Sequence, residues 1–195
     1  MSPRTKKQNI EIREATRQKI IDAALKLFAD RGYHTTSVSM ISEKAGVSKG
    51  SVYNYFESKE DLLKCIVFWG IETLMASFDL DRDGILTKEE MVHFIRESFR
   101  LVKQHKKFWK FYYSIIYQPS VMQLFGEDIF KKYNFYAKVV TGYFNEHGAS
   151  DPEIEMRFFT ALMDGIALSY IMDPGHFPVE AMEKKVLGMY SCVTK

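Results

Sequence analysis

The sequence predicts an all-α protein, with a small N-terminal helix-turn-helix head on a larger helical body. Three observations predict it. Apolar residues recur at three- and four-residue spacing along most of the chain. Gly and Pro interrupt that pattern where helices of ordinary length would end. No run of alternating apolar and polar residues is long enough to argue for a sheet.

The elements follow in order. Residues 1–12 are polar, contain Pro3 and precede any sustained periodicity, which predicts a flexible arm. Ile20, Ile21, Ala24, Leu25 and Phe28 form the stripe of a first helix over 14–31, capped by Gly32. Thr35-Thr36-Ser37 lead into Val38, Ile41 and Ala45, a short second helix that Gly46 breaks. Ser48 caps a third short helix reaching Tyr55. Ser58 caps a long fourth helix, with Glu60 and Asp61 at the positive end of its dipole and Leu62, Leu63, Ile66, Val67, Trp69, Leu74 and Phe78 along it. Further helices are expected over 88–104, 106–117, 124–146, 153–172 and 178–193. The breaks between them are Pro119, Gly148 with Asp151-Pro152, and Asp173-Pro174-Gly175 with Pro178. The chain therefore divides into an arm (1–12), a head (13–57) and a body (58–195).

Charge separates head from body. Residues 1–64 carry 12 Lys/Arg against 8 Asp/Glu, and the remainder carries 15 against 17. A basic head on a mildly acidic body suits a protein that meets a polyanion at one end. Cys65 and Cys192 lie in apolar helical segments far apart, which reads as two reduced core thiols in the cytoplasm rather than a disulfide framework. The basic N-terminus lacks the apolar stretch of a signal peptide, and no apolar run approaches the ~20 residues of a membrane span. His34, His93, His105, His147 and His176 show no metalloprotease spacing, and neither cysteine has an evident base partner, so no enzyme is expected.

The stretch Thr36–Leu63, TSVSMISEKAGVSKGSVYNYFESKEDLL, has the helix, tight turn and second helix of a DNA-binding helix-turn-helix. Gly46 supplies the positive φ of the turn, and small Ala45 lets the helices approach. Lys49, Ser51, Tyr53, Asn54 and Tyr55 are mostly donors on the outward side, where Lys and helix N-termini hold phosphates and Ser or Asn can meet base edges. Lys59 is a further phosphate candidate. Phe56 reads as packing of the head on the fourth helix. Tyr53 fits either packing or a DNA contact.

The run AGVSKGSVYNYFESKEDLL, with IIDAALKLFADRGYHTTSV before it, resembles the signature of the TetR (tetracycline repressor) family over residues 15–64. That resemblance implies DNA contacts, chiefly to phosphate, from Thr36, Lys49, Gly50, Ser51, Tyr53, Tyr55 and Lys59. Asn54 stands where the family usually has a second aromatic, which puts the base preference in doubt. The resemblance also implies a homodimer through helices 153–172 and 178–193, and a small-molecule pocket among helices four to eight. Of the many aromatics in the body, Trp69, Trp109, Tyr113 and Tyr136 are the candidates to line it. The function implied is a ligand-responsive transcriptional regulator, a repressor released from operator DNA by a small-molecule effector.

One motif lies outside that signature. Residues 79–90, DLDRDGILTKEE, match the calcium-loop pattern D-x-[DN]-x-[DN]-G-x₅-E at every specified position, with Leu86 as the usual apolar residue. Asp79, Asp81, Asp83 and Glu90 would supply carboxylates and Ile85 a carbonyl to Ca²⁺ or Mg²⁺, with Gly84 at the bend. A capping box explains Thr87 and Glu90 without an ion, but leaves the three alternating aspartates and their glycine unexplained. The motif leaves open a second function, a regulator whose principal effector is the cation.

Overall fold

Thr5 begins the first helix: its hydroxyl accepts the Gln8 N–H while the Gln8 side chain accepts the Thr5 N–H, a reciprocal capping box. The computed structural model describes residues 5–190, and α1 runs from Lys6 to Arg31. Over residues 5–12 this corrects the arm expected over 1–12, the first four residues of which lie outside the described residues. No Gly or Pro stands between Pro3 and Gly32, so once capped at Thr5 the helix has nothing to stop it.

Eight further helices follow: α2 (Val38–Ala45), α3 (Lys49–Tyr53), α4 (Lys59–Met75), α5 (Lys88–Gln104), α6 (Lys106–Ile116), α7 (Pro119–Glu146), α8 (Pro152–Met172) and α9 (Val179–Tyr190). Among the described residues there is no strand, as expected. α7 starts at Pro119, five residues before the expected position. Pro reads as a break, but at the first turn its missing N–H is one the helix leaves unbonded anyway. No helix among the described residues is long and apolar enough to cross a membrane.

α1 joins head to body. It packs on α2 and α4 and also reaches α6, whose far side belongs to the body core. Arg17 crosses this junction: its guanidinium lies over the Phe56 ring and donates to Cys65 Sγ at 2.9 Å. Cys65 is thus a half-buried thiol under a cation, and Cys192 lies outside the described residues. The body core is aromatic. Trp109 is fully buried with its indole N–H on the Leu101 carbonyl (3.1 Å), and Phe159 packs edge-on against both Phe144 and Tyr190.

α4 and α6 approach through Gly70. A Cβ at this position would stand 2.5 Å from Cε2 of the buried Tyr112 ring. Gly70→Ala is therefore expected to destabilise the protein by about 1–3 kcal/mol, the usual range for overpacking a core. The effect should register as a lower urea midpoint at unchanged slope. Tyr112→Leu in the same background should recover part of the loss; a strictly additive pair would show that the two residues do not share this space.

Candidate nucleic-acid interface and internal cavity

The head is built by small hydrogen bonds at its turns. Ser37 caps α2 by accepting the Met40 N–H (3.2 Å), and Ser48 caps α3 by accepting the Ser51 N–H (3.0 Å). Between them Gly46 takes the left-handed conformation (φ 67°) and donates to the Glu43 and Ser42 carbonyls, which closes the turn. Ile41, Val52 and Phe56 are buried beneath. The first turn of α3 and the residues after it then face outward: Lys49, Gly50, Tyr53 and Asn54 are exposed, and Ser51 and Tyr55 are half-buried. Tyr55 is braced by Arg13 of α1, 5.7 Å from the ring centroid. This is a short, capped, donor-bearing helix on the surface, the form that enters a DNA major groove.

In the body, α4 to α8 with Val179 of α9 enclose a cavity of about 560 Å³. Its wall is mainly apolar and aromatic, with Phe94, Trp109, Tyr113 and Tyr136 among the lining residues. Polar groups are few, and the ammonium of Lys132 among them is paired with Glu72 at 3.3 Å. Tyr113 donates its hydroxyl to Asp164 Oδ1 (3.3 Å), and the Tyr136 hydroxyl pairs with that of Thr160 (3.2 Å). Burial pushes the Asp164 carboxyl above the ordinary carboxylate range, the Tyr113 hydrogen bond opposing it, and burial pushes the Tyr113 and Tyr136 phenols well up. Ser98, also on the wall, has a buried hydroxyl oxygen with no hydrogen-bond partner.

Residues 20–66 match the family profile of bacterial regulatory proteins of the tetR family. Over these residues the head is similar to those of the TetR family. The fatty acid metabolism regulator protein of Bacillus subtilis (strain 168) is 34% identical over 84 residues, which cover 43% of this chain and 43% of that one. The chain thus spans less than half the length of the curated relative it matches. Solved structures agree in fold over nearly the whole chain. The SmeT–triclosan complex superposes with a TM-score of 0.70 at 19% identity, covering 93% of this chain and 95% of that one. The Bacillus subtilis regulator FadR in complex with stearoyl-CoA gives 0.65 at 24%, covering 91% and 99%.

Within this TetR-type head the structure gives two expected contacts other work. Thr36 is 1% exposed, and its hydroxyl donates to the Leu27 and Gly32 carbonyls at 3.2 and 2.9 Å. Its side chain is therefore a rivet between α1 and α2, not an outward group. Lys59 lies over the Tyr33 ring, 4.3 Å from the centroid, and donates to the Tyr33 and Thr36 carbonyls, both at 2.8 Å. Burial lowers its pKa. It ties the start of α4 to the turn after α1. Phe56 packs as expected, at 3% exposed, while Tyr53 is 48% exposed and carries no packing role.

Of the four expected cavity residues, Trp109, Tyr113 and Tyr136 line it and Trp69 does not. Trp69 sits on the outer face of α4, half-exposed, with its ring edge-on to Phe108 (4.4 Å). Asp164, Thr160 and Ser98 were missed. Each sits among apolar neighbours on an amphipathic helix, and spacing alone does not separate a cavity-facing polar residue from a solvent-facing one. In the acidic loop, Asp79, Asp81 and Asp83 each place a carboxylate oxygen within 4.8 Å of the others. Glu90 does not join them: its oxygens accept the N–H groups of Leu80 (3.1 Å) and Thr87 (3.0 Å) and the Thr87 hydroxyl (2.8 Å). These bonds, that of the Thr87 N–H foremost, hold its carboxyl below the ordinary range. Ile85 has its N–H on Asp83 Oδ1 (2.7 Å) and an exposed side chain.

The raised Asp164 fixes a pH dependence. A buried acid whose folded pKa lies above its unfolded value costs stability wherever it is charged, so the cost is full above the folded pKa and vanishes below the ordinary carboxylate range. Asp164→Asn keeps an oxygen for Tyr113 and removes the charge. It is expected to raise the melting temperature by a few degrees at pH 7 to 8, on the order of what 1 kcal/mol gives a chain of this size. The gain should fade on acidification toward pH 4; a gain independent of pH would contradict the assignment.

Proposed function

We propose that the chain is a dimeric transcriptional regulator whose TetR-type head holds operator DNA until a hydrophobic small molecule fills the body cavity. One observation carries this reading: the walls of the cavity are also the supports of the head. α6 lines the cavity through Trp109, Tyr112 and Tyr113 and packs against α1, while α4 runs from the head into the cavity wall at Ile71, Leu74 and Met75. A ligand that separates α4 from α6 therefore has a direct lever on the turn between α1 and α2 through Lys59 and Thr36. It shifts the head only so far as it binds one arrangement more tightly than the other.

Lys49 and Tyr53 carry the DNA contact in this reading, Lys49 to phosphate, with Gly50, Ser51, Asn54 and Tyr55 alongside. The dimer forms through the outer stripe of α8, where Ile154, Phe158, Ala161, Gly165 and Met172 are exposed and the two small residues allow close approach. Two heads then address half-sites one helical turn apart, about 34–36 Å, or a multiple of it. The cavity, not the acidic loop, is the effector site. Its apolar rings suit the body of a ligand such as those named for SmeT and FadR, triclosan and stearoyl-CoA. The unpartnered Ser98 hydroxyl and the half-buried Asp164 favour a hydroxyl or amine over a carboxylate, the Lys132 ammonium on the wall being engaged by Glu72.

The DNA half is tested on duplexes selected from random sequence by the full chain. Lys49→Ala should weaken binding and reduce the salt slope by about one unit, and Tyr53→Phe should weaken it several-fold without loss of fold. Wild-type binding by both variants would end the assignment of α3. The ligand half is read from Trp109 fluorescence in a Trp69→Phe background, since the chain has 2 Trp. An alkylamine should quench Trp109 and release the operator at a tenth or less of the concentration of the carboxylate of equal chain length. The reverse order would overturn the ligand class and leave the head unaffected.

A further inference from the structure

Two buried side-chain polar atoms among the described residues have no hydrogen-bond partner: Ser98 Oγ on the cavity wall and Asp79 Oδ1 in the loop between α4 and α5. Buried polar atoms in folded proteins are overwhelmingly partnered, so an orphan asks for a ligand or an ion. The first lies in the cavity already described. The second has no place in a small-molecule site.

Asp79 follows Phe78 at the end of the α4 segment and is 8% exposed. Its Oδ2 accepts the Gly84 N–H at 3.0 Å, which turns the carboxylate into the loop, where an oxygen lies within 4.8 Å of oxygens from both Asp81 and Asp83. Internal hydrogen bonds explain the rest of the segment. Asp81 accepts the Asp83 N–H (3.2 Å), Asp83 accepts the Ile85 N–H, and Thr87 with Glu90 caps α5. None of these reaches Asp79 Oδ1. Three converging carboxylates also repel one another, and the neighbouring bases Arg82 and Lys88 form no ion pair with them.

We propose that Asp79, Asp81 and Asp83 bind a calcium ion that clamps the α4–α5 junction. The donor set is all oxygen and carries no nitrogen or sulfur, which selects a hard cation over zinc or copper. Calcium accepts irregular geometry with several carboxylates, whereas magnesium demands a near-ideal octahedron and gives up water reluctantly. Asp79 is the anchor at the buried side, and Asp81 and Asp83 stand on the exposed rim, open to water ligands. Glu90 is a helix cap here and not one of the three. With three carboxylates the affinity falls at the weak end of calcium sites, Kd about 10⁻⁴–10⁻³ M. Leu86, 2% exposed, and Phe78, packed on Phe94 at 5.2 Å and Tyr136 at 5.0 Å, tie the clamp to rings of the effector cavity.

Calorimetry on chelator-treated full-length protein should give saturable heat with calcium chloride, and 10 mM calcium should raise the melting temperature by a few degrees. Asp79→Asn should weaken binding at least tenfold. Should that buried variant fail to fold, Asp81→Asn/Asp83→Asn on the exposed rim reads the same loss. Glu90→Gln should retain calcium binding within a few-fold. Absence of heat and of any melting shift at 10 mM calcium would overturn the site, as would an equal shift in the rim variant, which would mark simple charge screening. A magnesium response equal to that of calcium would overturn the choice of ion.

Discussion

A side chain at position 70 and the Tyr112 ring cannot share the space between α4 and α6, and the glycine resolves this in favour of the ring. Much of the molecule rests on that resolution. With Tyr112 seated against α4, its neighbours on α6, Trp109 and Tyr113, turn into the cavity, and the other side of α6 meets α1. The indole N–H of Trp109 on the Leu101 carbonyl fixes α6 against α5, so the rings hold a defined wall. The distance between head and cavity is thereby spanned by packed rings and two helices rather than by a loop.

The head is fixed by the same logic at a smaller scale. Its exposed α3 has only five residues and cannot be stable alone. It stands because Ser37, Ser48 and Gly46 satisfy the turn, and because Lys59 and Thr36 bind the carbonyls where α1 gives way to α2. Both residues belong to the stretch that resembles the family signature, yet their side chains point inward. The outward side chains, Lys49, Tyr53 and Asn54, are those that carry no internal hydrogen bond. A signature can mix residues that touch a partner with residues that shape the surface for it, and only packing separates them.

Helix positions were legible because caps and breakers are local: a serine hydroxyl on the third N–H, a glycine at positive φ, a proline in a first turn. The exceptions are local too: the Thr5–Gln8 capping box starts α1 ahead of its apolar stripe, and Pro119 occupies the first turn of α7 rather than a break before it. The acidic loop was legible as a pattern, but a pattern gives spacing and not direction. The same Glu90 satisfies the calcium-loop spacing and the capping box, and in the fold its oxygens went to the backbone.

The sequence by itself determined the all-α class, the order of the helices, the helix-turn-helix with its likeness to a family, and the three aspartates that face one another, because each depends on residues within a few positions. Tertiary structure alone decided which aromatics enclose a cavity and which stand outside it. Trp69 and Trp109 both lie on helices that wall the cavity, but Trp109 is buried and faces it, while Trp69 is half-exposed and packs on Phe108 outside it. It also decided that Asp164 is half-buried beside Tyr113, that Thr36 and Lys59 serve the interior, and that one oxygen of Asp79 is sealed from water with no partner. The physical reason is common to all four: burial and hydrogen-bond partnership are set by residues distant in the chain, and no local spacing encodes them.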